Sequence, residues 1–270
     1  MNEAMNWAIV DAAAEPELFT MLELYDPPNA SLYAEPIAED IGRLAPYLVQ
    51  INEGSRQWLM HRSTPWGIWL ESKAEMKALR QHLRKYLHVQ IPDEEKPVFF
   101  RFYDPRNIWA LLQVLSPWEQ HTFLGPVDAI ATHWKGELRD ERFTALREQF
   151  PSGSSSRRKM MRISREQLDE LSLVFEKRYI DGLVEKIEAW SGHDRKIEAA
   201  TIAETFRWLK QQGIVDDRSI RGLFSLFYQR GCLALETIPS NFRHVLCAAG
   251  EEGGYKAETL LIQELGDVPL

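Results

Sequence analysis

Cysteine is nearly absent from the chain: two thiols, Cys232 and Cys247, in 270 residues. That is too few for a disulfide framework and predicts reduced thiols in a cytoplasmic protein. Long apolar runs are missing as well. No stretch approaches the roughly 20 apolar residues that a membrane span needs. The first residues, MNEAMNWAIVDAAAEPELF, carry acids where a secretory signal has a basic region ahead of an uninterrupted apolar one. Positive charge is in deficit, 32 Lys and Arg against 40 Asp and Glu, so a formal charge of -8 gives no global attraction to nucleic acid or anionic lipid. Signatures of chemistry are missing too. The chain has no P-loop, dinucleotide-binding glycine pattern, zincin histidine pair, calcium loop or nucleophile elbow in its required context.

Two weaker chemical patterns fail on spacing. Cys232, His244 and Cys247 are the nearest approach to a metal site, the last two at i and i+3 of an expected helix and the first in another element. Zinc takes four protein ligands in structural sites and three plus water in catalytic ones, so the expectation is buried thiols and no metal. The acid pairs Glu94-Glu95, Asp216-Asp217 and Glu251-Glu252 fall in expected turns, where solvent suppresses the pKa separation that acid/base catalysis uses. No cofactor is expected.

What the chain does have is an aromatic stretch at residues 97–115, PVFFRFYDPRNIWALLQVL. Val98, Phe100 and Phe102 share one parity and Phe99, Arg101 and Tyr103 the other, the pattern of a central strand covered on both sides. Asp104-Pro105 then reads as an N-cap followed by proline at N1, opening a helix with Ile108, Leu111, Leu112 and Leu115 on one stripe. Arg106 is discordant, since a cation in a first turn opposes the helix dipole; it either pairs with a carboxylate as a clamp or is kept for recognition.

Along the chain, strands are expected at 7–10, 31–34, 47–51, 66–70 and 127–134, with residues 122–124 as sheet edge. Helices are expected at 14–24 and 55–61, over 72–87 behind a Ser72–Glu75 capping box, and after Ser116-Pro117. Residues 152–159, SGSSSRRK, have nothing to bury and read as a linker. From Ser164, which forms a capping box with Gln167, five helical patterns follow, broken near Gly192, Gly213, Gly231 and Pro239. The fold class is therefore α+β with α/β-like alternation. An N-terminal mixed-sheet module flanked by helices (1–150) leads through a flexible basic linker (151–163) to an all-helical lobe (164–270).

Three functional classes fit. His82, Arg101, Asp104 and Arg106 could converge as a polar site that polarises a carbonyl or holds a phosphate, though no activated nucleophile accompanies them. Arg157, Arg158, Lys159 and Arg162 form a basic patch suited to an acidic protein surface; nucleic acid is the weaker reading, because no aromatic platform goes with it. The third class is a protein-binding adaptor, and a family resemblance favours it.

The chain resembles the DUF4123 family in an ordered set of landmarks. These are Trp7 with Asp11, Leu44-Ala45-Pro46-Tyr47-Leu48-Val49, the Trp66-Gly67 strand ending at Ser72, and His82-Leu83-Arg84. Phe100-Arg101-Phe102-Tyr103-Asp104-Pro105-Arg106 and Phe123-Leu124-Gly125-Pro126 complete the set. The resemblance covers about the first 135 residues. It implies a non-catalytic cytoplasmic adaptor of bacterial type VI secretion that holds a toxic effector, often beside a PAAR-bearing or spike-binding region, and helps load it onto the VgrG spike. Carried over by position, it marks His82, Arg84, Arg101, Asp104 and Arg106, and it implies that the helical lobe is the variable, cargo-specific part.

Overall fold

A computed structural model describes residues 5–150, 160–192 and 196–266. The chain divides into two compact units, Met1–Leu171 and Ser172–Leu270.

The first unit runs β1 (Trp7–Asp11), α1 (Leu18–Tyr25), β2 (Asn29–Ser31), α2 (Glu39–Gly42), β3 (Pro46–Gln50), α3 (Glu53–Met60), β4 (Gly67–Ser72) and α4 (Met76–Leu83). It continues with β5 (His88–Gln90), β6 (Val98–Phe99), α5 (Ile108–Val114), α6 (Pro117–Leu124), β7 (Val127–Trp134), β8 (Glu137–Arg142), α7 (Thr144–Gln149) and β9 (Met161–Arg162). The unit boundary falls within α8 (Arg165–Trp190).

Six strands form one sheet in the order β2-β3-β1-β4-β7-β8, antiparallel at every pairing. The α+β class therefore holds, while mixed pairing is confined to a small second sheet, β6-β5-β9, in which β5 runs parallel to β9. Only β7 and β8 are joined by a tight turn; the other neighbouring strands are brought together by longer connections that contain helices. Its register puts Ala8, Val49, Trp69 and Ala131 on one face, packed with Leu18 and Met21 of α1 and Leu59 of α3. Ile9, Leu48, Ile68 and Leu70 occupy the other face and are buried as well. Gly67 is required between β4 and β1, because a Cβ there would sit 1.8 Å from the Ile9 carbonyl oxygen.

The central strand is β1, all five of its residues buried, and not the aromatic stretch. Of residues 97–103 only Val98 and Phe99 are extended, at the edge of the small sheet, with Phe99 40% exposed. Phe102 and Tyr103 do reach the core, but from a turn. The Asp104 carboxylate accepts the Arg106 N–H at 2.8 Å, closing an Asx-type turn, so Asp104 does not cap a helix and α5 opens only at Ile108. An aromatic run says that side chains are buried; it does not say that the backbone carrying them is straight.

Three further expectations change. The Ser72–Glu75 box does not form, because Ser72 ends β4: its Oγ donates to the Pro126 carbonyl at 2.7 Å and accepts the Ala74 N–H, and α4 starts at Met76. Residues 122–124 are the last turn of α6, not sheet edge. Met161 and Arg162, expected in a flexible linker, are paired with Val89 and Gln90 as β9, and Ile163 is buried. The Ser164–Gln167 box forms as expected, and the helix expected after Ser116-Pro117 opens on a Ser116–Glu119 box.

The second unit contains α8 from Ser172 onward, α9 (Ala199–Gln211), α10 (Asp217–Gln229), α11 (Ser240–Leu246) and α12 (Gly253–Leu265). Its own core joins Leu183 and Ile187 of α8 to Phe206 and Leu209 of α9, Phe224 and Phe227 of α10, Phe242 of α11 and Leu261 of α12. The close approach of α12 to the α9–α10 turn depends on Gly253, where a Cβ would meet the Gly213 carbonyl oxygen at 2.0 Å.

Candidate functional site

The residues singled out in the sequence fall into two groups. The first lies where β1 ends. Asp11 is buried, its Oδ1 accepting the Ala13 N–H at 3.1 Å and its Oδ2 accepting Arg101 Nη1 at 3.2 Å. Asp104, also buried, receives Arg106 in a fork, Nε to Oδ1 at 2.9 Å and Nη2 to Oδ2 at 2.6 Å. The Arg106 guanidinium also lies 6.0 Å from the centre of the Trp134 ring. Tyr33 and Tyr103 surround the cluster, and burial followed by the Asp11 charge raises both phenols. Burial also pushes the Asp11 carboxyl up, with Arg101 opposing it. Two carboxylates and two guanidiniums thus neutralise each other in place. They tie the 101–107 turn to the end of the central strand.

The second group lies between α4 and the turn after α6. His82 Nε2 donates to the Phe123 carbonyl at 2.7 Å, which fixes the tautomer, and burial lowers its pKa to about 4, so the ring is neutral at pH 7. Gly125, at φ +49, lies against the ring, and a Cβ there would stand 2.0 Å from His82 Cε1. Tyr86 packs beside His82 and donates its hydroxyl to the Thr122 carbonyl at 2.7 Å. His82 spends its proton on this backbone bond rather than on the acidic cluster. Arg84 ends α4, partly exposed, with no side-chain partner among the described residues. Arg162 is on β9; Arg157, Arg158 and Lys159 lie outside the described residues.

The remaining landmarks interlock with these groups. Trp7 Nε1 donates to the Ser72 carbonyl at 3.3 Å, Asn6 exchanges two hydrogen bonds with the Ser72 backbone, and Ser72 Oγ reaches Pro126. The first strand, the end of β4 and the glycine-proline turn are thereby fastened to one another. Other clamps gave no sequence signal. Arg62 and Thr64 hold the buried Glu15 carboxylate, Arg80 donates to the Ser31 and Tyr33 carbonyls, and Arg147 donates to the Val127 carbonyl. Their partners are 20 to 49 residues away in the chain, beyond any local pattern.

Among the described residues no three His, Cys, Asp or Glu side chains gather as a metal site; Cys232 is buried and Cys247 exposed. No helix among them is long and apolar enough to cross a membrane.

The fold is an antiparallel α+β domain fastened by internal ion pairs and followed by a helical unit. Residues 6–122 match the family described as Domain of unknown function (DUF4123). Among curated proteins and solved structures, none matches the chain.

Proposed function

We propose that this protein is a non-catalytic cytoplasmic adaptor that holds a type VI secretion effector and promotes its loading onto the VgrG/PAAR spike. The observation that carries the reading is the DUF4123 match over residues 6–122, together with the landmark residues that resemble those of the family's effector adaptors.

Physical features support it. An adaptor needs a stiff platform, since ordering a loose one on binding would cost affinity. The first unit has its landmark side chains, Arg84 apart, committed to internal bonds, from Trp7–Ser72 to Arg106–Asp104. It also needs apolar and aromatic anchors at its surface, because a few such residues supply most of the energy of a protein interface. Trp118, Phe99, Ile41 and Leu44 of the first unit and Leu173, Tyr255 and Ile262 of the second are all exposed.

The test is co-expression with the products of neighbouring genes followed by affinity purification through this chain. A discrete complex with an effector or spike component is expected. A correctly folded protein that retains none of them contradicts the proposal.

A further inference from the structure

The first unit has a cleft of about 310 Å³ between α6 and β9, with Tyr86, Thr122 and Phe123 of the His82 group in its lining. Its apolar surface comes from Trp118, Phe123, Met160 and Met161, and Trp118 and Met160 are 40% and 37% exposed. Methionine beside tryptophan gives an adaptable, polarisable surface of the kind that takes varied apolar side chains. The charges around it are unbalanced. Glu119 is occupied by the Ser116 backbone and hydroxyl and by Gln167 Nε2 at 2.9 Å. Lys85 and Arg162 also line the cleft, and among the described residues neither has an ion pair. An apolar cleft lined by two cations and one carboxylate, a net positive charge, is complementary to a ligand that brings both apolar groups and carboxylates.

The third wall is strand. Met161 and Arg162 pair with β5 on one side only, because β9 is the last strand of its sheet among the described residues. Unpaired strand backbone beside apolar pockets favours an extended polypeptide, whose main chain joins the edge while alternate side chains enter the cleft.

We infer that the α6–β9 cleft is a docking site for an extended protein segment that presents apolar residues and Asp or Glu on the same face, at i and i+2. It rests on the adaptor reading only for the identity of the partner, which would be the effector or a spike component. Lys85 and Arg162 receive the carboxylates, and Trp118 and Met160 cover the apolar side chains.

The test uses the full chain and a fluorescein-labelled peptide, acetylated and amidated, built of Leu-Phe-Glu-Glu repeats so that each face carries both apolar and acidic side chains, read by anisotropy. Saturable binding is expected, weakened about tenfold by the Lys85→Glu/Arg162→Glu double variant, in line with loss and reversal of two charge contacts. Trp118→Ala should weaken it further, and the Lys-for-Glu counterpart peptide should not compete. Circular dichroism and thermal melting of the variants are expected to match the parent. The inference fails if the acidic peptide does not bind, binds the double variant equally, or is outcompeted at this cleft by a single-stranded oligonucleotide or an anionic lipid vesicle. If an effector complex forms and is indifferent to the double variant, cargo docks elsewhere and this inference falls while the adaptor reading stands. If the peptide binds as expected and no neighbouring gene product does, the reverse holds.

Discussion

Arg106 reaches Asp104 across two residues, and that pair carries a testable distinction between clamp and recognition surface. Arg106→Ala removes the fork from a buried carboxylate, leaving it only the backbone N–H, and should destabilise the first unit by about 1–3 kcal/mol in urea titrations. An unchanged unfolding midpoint with weakened partner binding would instead make Arg106 a recognition residue. His82 has a definite pH signature. Its folded-state pKa of about 4 lies below its ordinary 6.5, so the unfolded chain takes up the proton first. The stability it contributes is complete above pH 6.5 and is lost as the pH falls toward 4, a swing of at most about 3 kcal/mol. Comparing parent and His82→Gln unfolding free energies at pH 7 and pH 4.5 checks this: the gap between them should shrink at the lower pH. The pairing of Arg106 with a nearby carboxylate was legible because the two are neighbours in sequence. That of Asp11 with Arg101, 90 residues apart, was not, because only the fold brings them together.

Elements were legible where their ends carry local chemistry. Ser116-Pro117 and Ser164 with Gln167 start helices as their side-chain acceptors require. The apolar strands β1, β3, β4 and β7 were legible from β-branched and aromatic runs. Where tertiary bonds compete, local grammar loses: Ser72 has the side chain of a helix cap, but the Pro126 carbonyl takes its hydroxyl and β4 takes its backbone. Strand β8, with every residue exposed and mostly charged, has no hydrophobic alternation by which to recognise it. Removing the Ser116 cap should cost about 1 kcal/mol of stability as Ser116→Ala. Gly125→Ala should cost more, about 2–4 kcal/mol, since a methyl group would meet the His82 ring on a backbone that already favours glycine. Chemical denaturation of the two variants side by side would show the order; equal effects would contradict the tight packing of His82 on that turn.

Each unit buries residues of its own, Leu18, Val49 and Trp69 among them in Met1–Leu171 and Phe206, Phe224 and Leu261 in the core of Ser172–Leu270. Phe224→Ala, which empties part of the second core, should lower the stability of that unit by about 3–5 kcal/mol. The division into a sheet module and helices could be read from the change of apolar period after the serine-rich stretch, but the boundary could not: Arg162 to Leu171 pattern as helix and linker yet belong to the first unit. The functional cleft proposed between α6 and β9 was also beyond sequence reading, because Lys85, Trp118 and Arg162 are far apart in the chain and share no motif. At this scale the central claim is that the protein delivers another polypeptide. Deleting its gene and quantifying the neighbouring effector and the VgrG spike protein in the culture medium tests that claim most directly. The account predicts that the effector disappears from the medium, returns on complementation with the parent chain, and leaves spike secretion in place; undiminished effector secretion from the deletion strain would contradict it.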